Sequence, residues 1–313
     1  MISDFTDESY DIEDKEEEKT FLSQIIQNLI DLGVKFHFTE ARTLNELSKK
    51  LSRYDKNKIV IFNWCEEIYG HPNTNYLVTE FLEKGKYIFS GAHTPCLKIS
   101  NNKVSVNKVL SKNGIPVPKQ YQINDPNISF PVIMKAKLEH GSFGISKNSI
   151  VKSKKQLNRF LKLVDKEKFI CEQFIDGPEY TVSVWGDGKP QVLPICQVNF
   201  ESQENQKYKI IDYNSKWDRS DPGYNGIFST VSNDISAKLR KQINQLTIKT
   251  YKVLGCCGFA RFEIRIENNI PYFIDFNPNP NFRPNTSFVK AAQHAGYNYG
   301  EMVSKLCEFA IDN

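Results

Sequence analysis

Two segments near the C-terminus place carboxylate and amide side chains where they could hold a metal ion. Residues 259–266 and residues 272–277 alternate between apolar and polar side chains. Because successive side chains of a β-strand point to opposite faces, each segment is predicted to form a strand with one polar face. The polar faces carry Arg261, Glu263, Arg265, Asp275 and Asn277, and the apolar faces carry Ala260, Phe262, Ile264, Ile266, Tyr272, Ile274 and Phe276.

The register of this hairpin decides which polar groups meet. A turn at residues 267–269 would pair Arg261 with Asp275 and Phe262 with Ile274, so that apolar side chains oppose each other. Two carboxylates and an amide oxygen on one surface suit Mg²⁺, which prefers oxygen ligands and shares them with phosphates. A solvated polar face with an Arg–Asp ion pair is the alternative. The predicted metal ligands are Glu263, Asp275 and Asn277.

A second segment joins a strand-borne lysine to a loop of small residues. Lys135 follows the apolar run 130–134, and the next loop contains Gly141 and Ser142. Backbone N–H groups of such a loop could cradle phosphate oxygens. The spacing matches neither the P-loop nor the dinucleotide-binding fingerprint, and a glycine–serine turn taken alone is commonly just a turn.

A third segment, residues 172–182, is predicted to be a strand, a short connector and a second strand. This arrangement is typical of a hinge between domains, whose backbone groups could meet an adenine. Glu179 would then be available for ribose hydroxyls. An interdomain linker without a ligand is the alternative.

The elements around these segments alternate between helix and strand. Such alternation at the N-terminus is typical of an α/β domain. A polar stretch at 201–226 is long for a loop, which favours a lid or a disordered stretch. The predicted helices are 21–32, 44–51, 76–84, 103–113, 153–164 and 235–254, and the remaining predicted strands are 34–38, 59–62, 87–89, 130–134, 169–172, 181–185 and 191–195.

The composition narrows the class of protein. A chain of 313 residues, 40% hydrophobic and 25% charged, has the length of about two domains. Its net charge of +4 is too small to indicate nucleic acid or membrane binding, and no apolar run approaches the roughly 18 residues of a membrane span. Residues 3–18 are predicted to be a mobile acidic lead-in, unlike a targeting segment. Seven cysteines without a CxxC pair indicate reduced thiols and a cytoplasmic protein.

Taken together and in this order, the three segments resemble the ATP-grasp fold of the D-alanine–D-alanine ligase family. The resemblance runs from about Val60 to the C-terminus and is carried by residues 60–66, 87–91, Lys103 with 114–116, 139–144, 172–179, 213–216, 258–263 and 275–280. It implies an α/β fold, α+β in the catalytic lobes. The implied domains are an N-terminal α/β domain at 1–97 whose first strand is missing, a central lobe at 98–172 and a C-terminal lobe at 173–313 with the lid loop 201–226.

The resemblance also implies a role for each matching residue. The nucleotide would be ATP, with two Mg²⁺ ions, or Mn²⁺, at Glu263, Asp275 and Asn277. The implied ATP-binding residues are Lys103, Lys135, Glu172, Phe174, Ile175, Glu179 and Ile274. The implied catalytic residues are Lys216, which would reach the transferred phosphate, Arg261, which would stabilise the acyl phosphate, and Gly141 and Ser142 of the loop.

The implied reaction is attack of a substrate carboxylate on the γ-phosphate, followed by displacement of phosphate by an amine. Phosphoryl transfer depends mainly on positioning and charge neutralisation, which three lysines, an arginine and Mg²⁺ would supply. The expected substrates are an amino acid or a small peptide-like acid and an amine. A D-alanine–D-alanine ligase of cell-wall synthesis and a nucleotide-binding module without turnover are the alternatives. The resemblance also suggests a homodimer.

The substrate side departs from the family pattern. The N-terminal acidic residue that holds the first amino acid in dipeptide-forming members has no match here. Gly141 and Trp217 stand where those members have serine and tyrosine. The sequence after Asn277 also differs from the family's, and the weaker substrate candidates are Arg283, Thr286, Ser287 and Trp217.

Overall fold

The computed structural model describes residues 2–3, 12–71, 73–186 and 188–311. The helices are α1 Ile12–Asp31, α2 Leu44–Leu51, α3 Asn75–Lys84, α4 Thr94–Ser100, α5 Lys103–Lys112, α6 Lys154–Leu161, α7 Tyr213–Trp217, α8 Pro222–Gly226, α9 Ala237–Val253, α10 Ser287–His294 and α11 Tyr299–Ile311. The strands are β1 Ile2–Ser3, β2 Thr39–Glu40, β3 Val60–Ile61, β4 Ile88–Phe89, β5 Gln120–Tyr121, β6 Val132–Ala136, β7 Ile150–Val151, β8 Phe169–Gln173, β9 Glu179–Trp185, β10 Gln191–Val192, β11 Cys196–Phe200, β12 Ile227–Val231, β13 Phe259–Glu267 and β14 Ile270–Asn277.

The N-terminal part contains two short parallel pairs of strands, β1 with β2 and β3 with β4. Leu47, Val78 and Leu82 of α2 and α3 pack in one core with Ile61 of β3. The strand predicted at 34–38 is wrong, because this segment lies largely in solvent and the pairing falls on β2. The two-residue strand β1 precedes α1, and the absence of the first strand expected from the resemblance stays a prediction.

The first helix begins earlier than its apolar pattern suggests. The sequence predicts a helix from residue 21, preceded by an acidic lead-in, but α1 already begins at Ile12. The part of the lead-in at residues 4–11 lies outside the described residues. Phe21, Ile25 and Leu29 of α1 are buried against α11 and the C-terminal sheet, so the amphipathic pattern identified the packed turns rather than the helix start.

The middle of the chain forms a four-stranded antiparallel sheet in the order β5-β8-β6-β7. Val132 and Met134 of β6, together with Cys171 of β8, pack under Leu157 of α6. The opposite face of the same strands carries Lys135 and Glu172. This sheet therefore turns one face to its own core and delivers two charged side chains to the other side.

The C-terminal part is a six-stranded sheet in the order β12-β11-β9-β13-β14, with β10 paired to β9. Helix α9 covers one face through Ile243 and Tyr251. Helices α10, α11 and α1 pack around Trp185, Phe259 and Phe282 in a second core. The strands predicted at 181–185 and 191–195 are found as β9 and the shorter β10, which pair antiparallel with Gln191 opposite Trp185.

The register predicted for the hairpin of β13 and β14 is wrong by two residues at the polar end. The observed pairs are Arg261 with Asn277, Phe262 with Phe276 and Glu263 with Asp275, where the sequence predicts Arg261 with Asp275 and Phe262 with Ile274. The two carboxylates are consequently direct cross-strand neighbours, closer to each other than the predicted register implies.

Two single-residue shifts produce this result. The turn contains only Asn268 and Asn269, both at positive φ (53° and 61°), as a two-residue hairpin turn requires. The second shift is a bulge in which Ile274 is the extra residue. Between turn and bulge the faces are exchanged, so Phe273 is buried in the core instead of Tyr272. Past the bulge the predicted faces return, which is why the polar residues still share one surface.

The stretch 201–226 contains more regular secondary structure than the sequence predicts. It contains the short helices α7 and α8, whose N-termini are capped by the carboxylates of Asp212 and Asp221. Gln203 also exchanges two hydrogen bonds with the backbone of Ile210, at 2.8 and 2.9 Å. The segment is therefore an ordered cover with its own local hydrogen bonds.

All seven cysteines are free thiols, as the sequence predicts. Cys96 and Cys256 lie with their sulfur atoms 3.8 Å apart. No helix within the described ranges combines the length and the apolar character that crossing a membrane requires. The domain boundaries at 97 and 172 stay predictions.

Candidate nucleotide and metal site

A cleft of about 830 Å³, open to solvent, is lined by the four-stranded sheet, the six-stranded sheet and the 201–226 segment. Residues predicted from sequence that line it are Lys103, Lys135, Gly141, Ser142, Phe174, Ile175, Glu179, Lys216, Glu263, Ile274 and Asp275.

Lys135 and Glu172 form a buried ion pair between neighbouring strands. Nζ and Oε2 are 3.1 Å apart, with the side chains 10% and 6% exposed. Nε2 of Gln120 donates to the other oxygen of Glu172 at 2.9 Å, and Nζ of Lys135 donates to the carbonyl of Ile274 at 3.2 Å. Burial alone would lower the pKa of Lys135, but attraction by Glu172 and Asp275 raises it on balance. Lys135 is therefore a fixed positive charge that also joins the two sheets.

Arg265 is a buried residue of the site to which the sequence assigned no role. Its Nε and Nη2 both lie 2.8 Å from Oε2 of Glu179. Nη1 donates to the carbonyl of Ile175 at 3.1 Å and Nη2 to that of Lys209 at 2.7 Å, while the guanidinium lies over the ring of Phe174. The alternation of residues 259–266 already placed Arg265 on the polar face, so the signal was present in the sequence.

The predicted metal ligands share one surface at the end of β13 and β14. Glu263 lies opposite Asp275, and Asn277 is two residues further along the same strand. Oδ1 of Asn277 accepts from the backbone N–H of Asn279 at 2.9 Å. Among the described residues, no three His, Cys, Asp or Glu side chains form a metal-binding group. A metal here would therefore use two carboxylates, the amide oxygen and oxygens of a bound phosphate, a donor set that suits Mg²⁺.

Asp275 is surrounded by positive charge. Burial would raise its pKa, but Lys103, His140 and Lys135 lower it to about 2. Nζ of Lys103 donates to the carbonyl of Glu139. This bond holds the lysine against the loop at residues 139–144, the predicted phosphate loop. The carboxylate is consequently ionised at neutral pH, as a metal ligand must be.

Arg261 and Lys216 approach this acidic surface from different elements. Nη2 of Arg261 lies 2.9 Å from Oε1 of Glu263, and its Nε is buried without a hydrogen-bond partner in the described part of the chain. Helix α7 carries Lys216 over the cleft. The pKa of Lys216 is lowered, first because the protein surrounds its ammonium and then because Arg261 repels it. Both cations thus face the place where negative charge of a phosphate would collect.

The phosphate loop is fastened to the 201–226 segment. Gly141 and Ser142 both have positive φ, 67° and 65°. Oγ of Ser142 donates to the carbonyl of Ile211 at 3.0 Å, and Nε1 of Trp217 donates to that of Gly141 at 2.8 Å. A Cβ on Gly141 would lie 3.3 Å from the Trp217 ring. The positive φ favours glycine at position 141, and the indole of Trp217 lies close to where a side chain would begin.

The weaker substrate candidates are not brought into the cleft. Within the described residues, none of Arg283, Thr286, Ser287 and Trp217 lines it. The hydroxyl of Thr286 donates to the carbonyls of Arg283 and Asn281, at 2.9 and 3.2 Å. Ser287 is 6% exposed at the start of α10. These groups stabilise the turn before α10, whereas Trp217 acts on the phosphate loop.

Comparison with known proteins points to the same chemistry as the cleft. A family model described as D-ala D-ala ligase C-terminus matches residues 108–308. The D-alanine–D-alanine ligase of Carboxydothermus hydrogenoformans is 28% identical over 264 residues, 78% of this chain and 80% of that protein. D-alanine–D-alanine ligase A of Bacillus cereus is 26% identical over 282 residues, 86% of each chain. The crystal structure of the Bacillus anthracis D-alanine–D-alanine ligase complexed with ATP has a TM-score of 0.73 at 21% identity, covering 99% of this chain and 96% of that one.

The fold is that of the ATP-grasp D-alanine–D-alanine ligases, which confirms the fold class expected from the sequence. The chain belongs to the D-alanine–D-alanine ligase family. It is accordingly an ATP-dependent, ADP-forming carboxylate–amine ligase, and a nucleotide-binding module without turnover is not favoured.

Proposed function

We propose that this ligase activates the carboxylate of an amino acid or a small peptide-like acid as an acyl phosphate and joins it to an amine. One observation carries the proposal: Lys103, Lys135 and Lys216 converge on the cleft that also contains Glu263 and Asp275. A site that only binds nucleotide has little use for a lysine on a covering helix together with a pair of carboxylates.

The positive groups would act on different parts of the nucleotide. Lys103 at the start of α5 and Lys135 of β6 would hold the α- and β-phosphates. Lys216 would reach the phosphate being transferred. Arg261 would stabilise charge on the acyl phosphate and on the tetrahedral species that follows. Such fixed charges stabilise a phosphoryl-transfer transition state without the need for a nucleophilic side chain.

The adenosine would occupy the other end of the cleft. The apolar side chains of Phe174, Ile175 and Ile274 would cover the adenine, and Glu179 would accept from ribose hydroxyls. Glu172 would act indirectly in this arrangement, because its carboxylate is already paired with Lys135 at 3.1 Å. The nucleotide would thus lie along the cleft with its phosphates toward the acidic surface.

Glu263, Asp275 and Asn277 would hold Mg²⁺, with Mn²⁺ as a substitute. When bound, the metal would neutralise charge on the phosphate oxygens. The ionised state of Asp275, whose pKa is lowered to about 2, supports this assignment. Glu263 would exchange its contact with Arg261 for the metal, which would free the guanidinium for the substrate.

In the chemical step a carboxylate oxygen of the acid would attack the γ-phosphorus, and the bond to the ADP oxygen would break. The amine nitrogen would then attack the acyl carbon, lose a proton and release inorganic phosphate. The protein residues would position and neutralise charge during both steps.

The identity of the acid is the second part of the proposal. The relatives are named for D-alanine, but the resemblance places Gly141 and Trp217 where dipeptide-forming members have serine and tyrosine, and the Trp217 ring lies against Gly141 in this chain. We therefore propose an acid other than D-alanine, and a second reading with D-alanine itself rests on the names of the relatives.

The experiment is phosphate release from Mg-ATP with single and paired D- and L-amino acids, followed by mass spectrometry of the product. Stimulation by one pair with formation of an amide is the expected result. Stimulation by D-alanine alone would replace the proposed substrate class with that of the relatives. ATP turnover that is unchanged in Glu263→Ala would contradict the metal assignment.

A further inference from the structure

Arg265 contacts three residues of the proposed nucleotide cleft that are distant from it in sequence. It contacts Glu179 at the start of β9, the carbonyl of Ile175 in the connector before β9, and the carbonyl of Lys209 in the 201–226 segment. Residue 265 is 5% exposed. A buried guanidinium is retained only when its donors are satisfied, and here carboxylate and carbonyl oxygens take them.

The ion pair with Glu179 has an asymmetric geometry. Both Nε and Nη2 approach the same oxygen, Oε2, at 2.8 Å. Glu179 also lines the cleft. A carboxylate fixed through one oxygen can present the other to a pair of hydroxyl groups without losing its counter-charge.

The hydrogen bond to Lys209 attaches the 201–226 segment to the end of the cleft where the adenine is proposed to bind. Arg265 donates to the Lys209 carbonyl at 2.7 Å and lies 4.9 Å from the centre of the Phe174 ring. Phe174 in turn contacts Tyr208 edge to face, with ring centres 5.4 Å apart. The covering segment is thus attached at the nucleoside end by Arg265, just as Trp217 and Ser142 attach it at the phosphate end.

We propose that Arg265 is a positioning residue of the nucleotide site, which holds Glu179 for the ribose hydroxyls and anchors the 201–226 segment over the nucleoside. The proposal rests on the assignment of the cleft to ATP under the proposed function. It assigns Arg265 no contact with the reacting phosphate.

The test measures binding of ATP, 2′-deoxy-ATP and 3′-deoxy-ATP with Mg²⁺ by calorimetry, with no acid substrate present. The wild-type protein is expected to bind at least one deoxynucleotide about tenfold more weakly than ATP, because a charged hydrogen bond is lost. In Arg265→Met this ratio is expected to fall toward one. Equal weakening of all three nucleotides, or an unchanged ratio, would overturn the positioning role.

Arg265→Lys separates the two parts of the proposal and guards against a variant that does not fold. Lysine can keep the charge beside Glu179 but cannot also serve the carbonyls of Ile175 and Lys209. We expect the discrimination against deoxynucleotides to return, while hydrogen exchange of residues 208–217 stays faster than in the wild type. Loss of discrimination with normal exchange would contradict the proposal.

Arg240→Met is the matched control, since Arg240 donates to the carbonyl of Ser232 at 3.2 Å, outside the cleft. This variant should leave the nucleotide ratio and the exchange unchanged. Because the assay needs no acid substrate, it distinguishes failure of this inference from failure of the ligase proposal. Absence of ATP binding in the wild-type protein would contradict the nucleotide assignment itself.

Discussion

The proposed nucleotide side, which is the cleft, and the substrate side suggested by the sequence, which is the turn before α10, are built in different ways. On the nucleotide side, ion pairs such as Lys135–Glu172 and Arg265–Glu179 are buried and join neighbouring strands. On the substrate side, which does not line the cleft, Thr286 donates within its own turn and Ser287 is buried. Side chains held by paired strands are positioned before a ligand binds. Side chains in a turn can instead form hydrogen bonds within the turn itself. The comparison indicates that ATP handling and acid recognition are separable properties of this chain.

The largest effect should follow from a change at the acidic surface. Asp275→Asn removes the charge that faces Lys103, Lys135 and His140. We expect turnover to fall about 100- to 1,000-fold, because a group that positions charge in phosphoryl transfer is lost. Steady-state phosphate release measures the effect, and Asp125→Asn on an exposed loop is the control. A loss of less than tenfold would contradict the role of Asp275.

The next effect concerns the ion pair that joins the sheets. Lys135→Met leaves the buried carboxylate of Glu172 without its counter-charge, which we expect to cost about 3 kcal/mol of unfolding free energy. Thermal unfolding and ATP titration should both report the change. Lys137→Met, just past the same strand, should alter neither. If stability and ATP affinity both survived in Lys135→Met, the pair would not be part of the nucleotide side.

A smaller effect on nucleotide binding is expected where the 201–226 segment contacts the phosphate loop. Trp217→Phe removes the hydrogen bond from Nε1 to the carbonyl of Gly141. Such a bond contributes about 1 kcal/mol, so KM for ATP should rise about fivefold. Gly141→Ala should be at least as harmful, because alanine adopts a φ of 67° only with strain and its methyl group would lie 3.3 Å from the Trp217 ring. An unchanged KM in both variants would mean that the cover does not act on the nucleotide.

The smallest effect should come from the substrate side. Thr286→Val removes the hydroxyl that donates to the carbonyls of Arg283 and Asn281, a shared hydrogen bond within the turn before α10. We expect a loss of about 1 kcal/mol of stability and no change in ATP affinity. Urea unfolding and ATP titration measure these quantities. A selective rise in KM for the acid, with unchanged stability, would show instead that this turn holds the substrate and would narrow the contrast between the two sides.

The polar surface shared by β13 and β14 could be predicted from the sequence because two errors in the predicted register cancelled each other. The sequence could not reveal that Asn268 and Asn269 form a two-residue turn or that Ile274 is a bulge. Each shift by itself would exchange the faces of β14, and together they restore them. Phe273, which lies between turn and bulge, shows the error directly, since it is buried where the sequence placed it on the polar face.

Elements that depend on distant partners were harder to predict. The segment 34–38 alternates like a strand, but no neighbouring strand covers it and it lies largely in solvent. The role of Arg265 required knowledge that Lys209 and Ile175 converge on it from other elements. By contrast, α9 has a long apolar stripe and ends before Gly255, whose φ is 66°. Local signals of that kind are sufficient without tertiary context.

The central claim is that the cleft transfers the γ-phosphate to a substrate carboxylate. The most direct test uses the acid identified by the amino-acid panel, labelled with oxygen-18 in its carboxylate, together with unlabelled Mg-ATP and the amine. Mass spectrometry of the released phosphate should show one oxygen-18 atom per phosphate, because an oxygen of the carboxylate leaves with the phosphate when the amine attacks. Unlabelled phosphate accompanied by amide formation would contradict an acyl phosphate and the mechanism built on it.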